Sequence, residues 1–237
     1  MDGQCALCCL SNEVRICKNG VGNGPKFCST LLYKDVINKA QKEYEKEDIA
    51  RFAAEAARQE ASAYQRDSRT GMTMPIKPRI VETMDFCRRM GYHRIGLAFC
   101  GALHKEGQII SKIFQSNGFE VVSVMCKVGG IDKSCLGLKP EEKIRGGDVF
   151  EPMCNPISQA MILNEAKTDF NVLVGLCVGH DSLFLKYSDA MCTVLAVKDR
   201  LLGHNPLAAV YTNHSYYAYL SGKPLEENKP ENTGNSD

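Results

Sequence analysis

The chain has 237 residues, 44% of them hydrophobic and 24% charged, which suits a globular protein with one large core, with or without a small appendage. A net charge of +1 leaves no electrostatic footprint for a nucleic acid, and no apolar run approaches the roughly 20 residues of a membrane helix. The first residues lack a basic stretch followed by an apolar one, so the expected location is the cytoplasm. Twelve cysteines and no tryptophan mark the departure from ordinary composition. In a reducing compartment that usage points to metal or thiol chemistry rather than to disulfides.

Residues 1–30 hold five of the twelve cysteines among glycines, with almost no apolar pattern. Such a segment needs a metal to hold it. Cys5 and Cys8 form a C-x-x-C knuckle, and Cys17 and Cys28 complete a tetrathiolate suited to zinc or an iron–sulfur cluster. Cys9 leaves the register open between Cys8 and Cys9. A disordered or disulfide-linked arm is the alternative. Residues 31–68 read as helix, with Ile49, Phe52, Ala53, Ala56, Ala63 and Tyr64 on one stripe. Residues 69–78 carry glycine and two prolines and read as a connector.

From Arg79 the pattern alternates between helix and strand. Ile80, Val81, Met84 and Cys87 make a helix face that stops at Gly91. Strands are expected at 94–100, 119–126, 171–177 and 190–197, with a helix around Ile109 to Phe114 between the first two. The expected fold is α/β: an open, mainly parallel sheet of about four to five strands with flanking helices, plus the small N-terminal Cys-rich, metal-held module. Residues 31–78 form a helical segment and connector, 79–220 the α/β domain, and 221–237 a polar, disordered tail. The glycine-rich stretch 127–150 reads as a long mobile loop or lid.

Three of these strands end on cysteine, at Cys100, Cys126 and Cys177, and the fourth ends in Lys198-Asp199-Arg200. Parallel strands align their carboxyl ends, where open α/β sheets bind ligands. Two crossovers add to that edge. Cys154-Asn155-Pro156 and His204-Asn205-Pro206 each place an N-cap Asn and an N1 Pro behind a potential ligand. His180 and Asp181 follow Cys177 across Gly179. The site expected from these residues uses Cys126, Cys154 and Cys177 as ligands, with Cys100 as a fourth ligand or free thiol. His180 is the candidate acid/base, oriented by Asp181 or Asp199. Lys198 and Asp199 complete the candidate catalytic set. Asn155, Arg200, His204 and Asn205 are candidates for binding a small anionic substrate. No Gly-x-Gly-x-x-Gly, P-loop or Gly-x-Ser-x-Gly element is present.

The stretches CALC, GLAFCGAL, VMCKVGGID, MCNPI, NEAKTDFNVLVGLCVGHD and VKDRLLGHNPLAAVY run through nearly the whole chain. Together they resemble an uncharacterised family of predicted metal-binding proteins, a domain of unknown function. The resemblance implies metal binding and supplies no substrate or reaction. The expected function is therefore a metal-binding protein of uncharacterised activity. It would have an N-terminal four-Cys site and a Cys-lined pocket for an iron–sulfur cluster or zinc, performing redox or lyase chemistry on a small anion. The competing readings are a non-catalytic zinc or redox sensor and a protein-interaction module built on the Cys-rich arm.

Overall fold

The computed structural model describes residues 2–222; the expected tail, residues 221–237, lies outside that range except for its first two residues. The chain divides between Met90 and Gly91 into two compact units.

In the first unit, a 3₁₀ turn at Cys5–Leu7 precedes two short helices, α1 (Ile16–Asn19) and α2 (Ser29–Leu32). Two longer helices follow, α3 (Lys34–Glu43) and α4 (Glu47–Ser62). The single helix expected over 31–68 is thus interrupted. The chain leaves helical geometry at Lys46, and the charge run 42–48 supplies only Tyr44 to carry the stripe across the break. Part of the expected connector is instead a hairpin of β1 (Tyr64–Arg66) and β2 (Thr73–Pro75), paired antiparallel. Its turn is built by Asp67, whose carboxylate accepts the backbone N–H groups of Arg69 and Thr70. Asp side chains favour such local turns over helix. Helix α5 (Arg79–Met90) closes the unit against α4, with Phe52 and Phe86 edge to face at 5.0 Å and the Arg51 guanidinium on the Met90 carbonyl. Cys87 is buried here as a small hydrophobe.

The second unit is a parallel sheet of four strands flanked by helices. Its elements are β3 (Arg94–Phe99), α6 (His104–Ser116), β4 (Glu120–Met125), α7 (Pro156–Glu165), β5 (Phe170–Leu176), α8 (His180–Tyr187), β6 (Cys192–Val197) and α9 (Leu207–Tyr211). The strand order is β4-β3-β5-β6, all pairs parallel. Every residue of β5 is buried, as its unbroken apolar run requires of a central parallel strand.

Alternation along the strands sorts the side chains by face. Ala98 and Cys100 of the β3 row, Val124 and Cys126 of the β4 row and Leu173 of β5 share one core cluster with Ala160 and Leu163 of α7 and Phe184 of α8. Phe99 faces the other way, against Gly107 of α6. Gly96 is required by close approach: a Cβ there would lie 1.9 Å from the Asn171 amide oxygen and 2.9 Å from Leu163. Asn171 itself is fully buried and satisfied, bonded to Thr168 and Ser188.

The loop between β4 and α7, read from sequence as a lid, carries two 3₁₀ turns and its own ionic cluster. Asp132 accepts the N–H groups of Ser134 and Glu151 and pairs with Lys143, while Lys133 pairs with Glu151. Those bonds hold the Asp132 carboxyl well below the usual carboxylate range, with the Ser134 hydroxyl the largest contributor. Among the described residues no helix is long and apolar enough to cross a membrane.

Candidate thiol site at the carboxyl edge of the sheet

The parallel register places Cys126, Cys100 and Cys177 just past the ends of β4, β3 and β5, and Lys198 just past β6. The fourth sulfur arrives by crossover. The Asn155 N–H donates to the Cys126 carbonyl at 2.7 Å, which seats the turn before α7 against the end of β4. Asn155 is the N-cap, its side chain accepting the Ser158 N–H at 3.1 Å, and Pro156 opens the helix. This order at the start of α7 fixes Cys154 beside the strand ends.

The side chains of Cys100, Cys126 and Cys154 form a row of neighbours with Cys126 at its centre, packed into one cluster. Cys126 is 3% exposed, and its sulfur also accepts the Gly101 N–H at 3.2 Å. At one end of the row the Lys198 ammonium reaches back from β6 to Cys100. At the other end Cys154 meets the His180 side chain and the Lys127 ammonium, the latter at 3.4 Å. Lys127 is anchored by the Pro152 carbonyl at 2.6 Å.

The charge pattern follows from this order. The Cys100 sulfur, then the Cys154 sulfur and burial, push the central Cys126 thiol up. Cys154 is held well below the ordinary thiol range by the bond from Cys126, then by His180, with Lys127 adding to both. Cys100 is lowered first by Cys126, then by the Ala102 N–H and Lys198. The two outer thiols are thus shifted toward the thiolate and the central one away from it, and the thiolate is the form that attacks electrophiles and binds metals.

Gly175 makes room for this edge. It sits at a bulge in the β5–β6 pairing with φ +64°, and a Cβ there would meet Leu103 at 2.2 Å. A left-handed bulge residue with no space for a side chain has to be glycine.

The remaining expected residues take different places. Cys177 does not join the row; its sulfur accepts the Arg200 guanidinium at 3.1 Å, and its carbonyl accepts the N–H groups of His180 and Asp181 at the start of α8. The Asp181 carboxylate accepts the next backbone N–H, that of Ser182. The Asp199 carboxylate accepts the N–H groups of Leu201 and Leu202. His204, at φ +68°, accepts the Asp199 N–H on Nδ1 at 3.1 Å. Asp199 and His204 thus bond the loop that carries Arg200. Asn205 gives no side-chain cap: α9 begins after Pro206, and the Asn205 carbonyl, not its amide, accepts the Ala208 N–H. Lys127 was not among the expected site residues, although its position directly after the strand-ending Cys126 was a legible signal.

In the N-terminal segment the C-x-x-C turn closes by the Cys8 N–H on the Cys5 carbonyl. Arg15 braces it through the Leu10 and Cys8 carbonyls. The Gln4 N–H on the Phe27 carbonyl and Cys5 beside Ser29 at 3.1 Å bring the turn alongside Cys28. Cys17 lies in α1, on the other arm of this segment. Among the described residues, no group of three or more His, Cys, Asp or Glu side chains stands in an arrangement that holds a metal ion, here or at the sheet edge.

Fold and site define an α/β protein with a cysteine row at the carboxyl edge of a parallel sheet. The chain belongs to the family described as "Protein of unknown function (DUF1847)", whose model matches residues 28–195. That stretch contains the three sulfurs of the row, Cys177 and His180, and also Cys28. The chain is similar to the uncharacterized protein MJ0455 of Methanocaldococcus jannaschii, 46% identical over 190 residues, covering 80% of this chain and 91% of the relative. No solved structure matches the chain significantly.

Proposed function

We propose that this chain is a metal-binding protein whose sheet-edge thiols take zinc or an iron–sulfur cluster and act in redox or lyase chemistry on a small anionic molecule. The observation that carries this reading is the convergence of Cys100, Cys126 and Cys154, from three separate segments, between the Lys127 and Lys198 ammonium groups and the His180 imidazole. The donor set fits a thiophilic centre, since thiolates and imidazole are the ligands that zinc and iron–sulfur clusters accept. A bound centre would supply Lewis acidity or electron transfer. Around it, Lys127, Lys198 and Arg200 attract and orient an anion, and His180 holds a proton next to Cys154. Binding also requires Cys126 to give up its proton, so uptake releases protons. The N-terminal cysteines form the second, structural metal site in this reading.

The test is anaerobic purification followed by metal, iron and acid-labile sulfide analysis of the full chain and of Cys126→Ser. The expected result is metal, or iron with sulfide, in the parent and a loss from the variant of whatever the sheet-edge site holds. Equal metal content in both overturns the reading.

A second reading, a non-catalytic zinc or redox sensor, is favoured by one specific observation. The three cysteines lie in a row, and among the described residues no group of three or more His, Cys, Asp or Glu is arranged to hold a metal ion.

A further inference from the structure

The row has an entrance and an interior. Cys126 is buried at 3% exposure, whereas Cys154 is half-buried and faces Lys127 and His180. Cys154 packs against the cluster that contains Cys126, and the 2.7 Å bond from the Asn155 N–H to the Cys126 carbonyl pins their backbones side by side. A disulfide needs that closeness, because its Cα atoms must lie within about 7 Å of each other. Among the described residues, the polar groups that reach the row include two ammonium groups, one imidazole and backbone N–H groups.

We propose that in its metal-free state this site carries out thiol–disulfide exchange on a small anionic disulfide, with Cys154 as the attacking sulfur and Cys126 as the resolving one. The activity goes beyond metal binding at the same residues and does not depend on it. In the first step the Cys154 thiolate attacks one sulfur of R–S–S–R. The substrate S–S bond breaks, a mixed disulfide forms on Cys154, and the leaving R–S⁻ takes a proton at His180. In the second step the Cys126 proton passes to the neighbouring Cys100 sulfur, and the Cys126 thiolate attacks the Cys154 sulfur. The mixed disulfide breaks, the second R–S⁻ leaves and is protonated from the Cys100 side. Two electrons pass from the cysteine pair to the substrate, with one proton donated at His180 and one from Cys126 by way of Cys100, giving two R–SH and a Cys126–Cys154 disulfide. An excess of a low-molecular-weight thiol restores the pair. Buried Cys126 cannot reach a substrate in solution, so the order of attack follows from access.

The test uses the full chain, reduced, treated with chelator and reacted anaerobically with oxidised glutathione, whose carboxylates make it the anionic probe. Peptide mapping after acid quenching locates every modified sulfur. The expected result for the parent is a Cys126–Cys154 disulfide and two thiols released for each one formed. Cys126→Ser should stop at glutathione on Cys154 with one thiol released, and Cys154→Ser should lose the fast phase by roughly tenfold or more. Cys126 and Cys154 both remaining reduced in the parent, or glutathione mapping only to exposed sulfurs such as Cys5, Cys9 and Cys135, overturns the proposal. The parent's map decides this alone if a variant misfolds. Metal content measured separately keeps a failure here distinct from a failure of the metal reading.

Discussion

The cysteines of residues 2–30 and those at the sheet edge sit in opposite settings. In the N-terminal segment Cys5, Cys9 and Cys17 are exposed, and the backbone around them is held by turn bonds and by Arg15 rather than by a core. At the sheet edge Cys100 and Cys126 are part of the apolar cluster itself, and each backbone is locked by a strand-end bond, Cys100 to Val174 and Cys126 to Phe99. The difference lies in what fixes the sulfurs. Strand register and helix α7 place the sheet-edge row before any ligand arrives, at the cost of desolvating thiols in apolar surroundings. The exposed sulfurs of Cys5, Cys9 and Cys17 lack that support, which a ligand would supply, whereas Cys28 is buried.

The contrast breaks most visibly through the sheet. In Gly96→Ala the new Cβ meets the Asn171 amide oxygen, so Asn171 must move, and buried Asn171 and Thr168 lose their bond to each other. Unsatisfied buried polar groups cost about 1–3 kcal/mol each. A loss of about 3 kcal/mol lowers Tm by roughly 6–12 °C in a domain of this size. Thermal unfolding followed by circular dichroism reads this, and an unchanged Tm would show that the sheet is not the rigid platform described. The opposite outcome is expected from Cys5→Ser combined with Cys17→Ser. Metal held by the N-terminal segment should be lost, while the cooperative melt of the sheet unit moves by no more than about 2 °C. Full metal retention in that double variant, or collapse of the sheet's melt, would erase the distinction between the two sites.

Much of this was legible in the sequence, and the residues show why. The four strands were readable because each is a short apolar run, and β5, buried throughout, gave the least ambiguous one. The Cys154-Asn155-Pro156 start of α7 was readable because Asn and Pro each have a local physical reason to stand there. What escaped depends on contacts that composition does not encode. Sequence order does not say that Cys177 turns to Arg200 while Cys100 turns into the row, because the bulge at Gly175 resets the pairing of β5 with β6 between them. Asn205-Pro206 looks like Asn155-Pro156 on paper, yet the left-handed His204 and its bond to Asp199 start the helix after the proline. The helix expected over 31–68 ends early because Asp67 offers the backbone a competing turn.

Cys126 is the neighbour that most lowers the Cys154 thiol, which joins the two into one connected site. The rate of Cys154 alkylation by iodoacetamide as pH falls tests it most directly, read by mass spectrometry on the reduced, metal-free chain. Only the thiolate reacts, so a thiol of ordinary pKa near 8.5 loses roughly a hundredfold in rate between pH 8 and pH 6. The Cys154 thiol is held well below that range, first by Cys126 and then by His180, so its thiolate persists as pH falls. Its rate should therefore change by less than about threefold over the same interval, and the fall should steepen in Cys126→Ala. A Cys154 that loses reactivity with pH like an ordinary thiol, in parent and variant alike, would contradict the account.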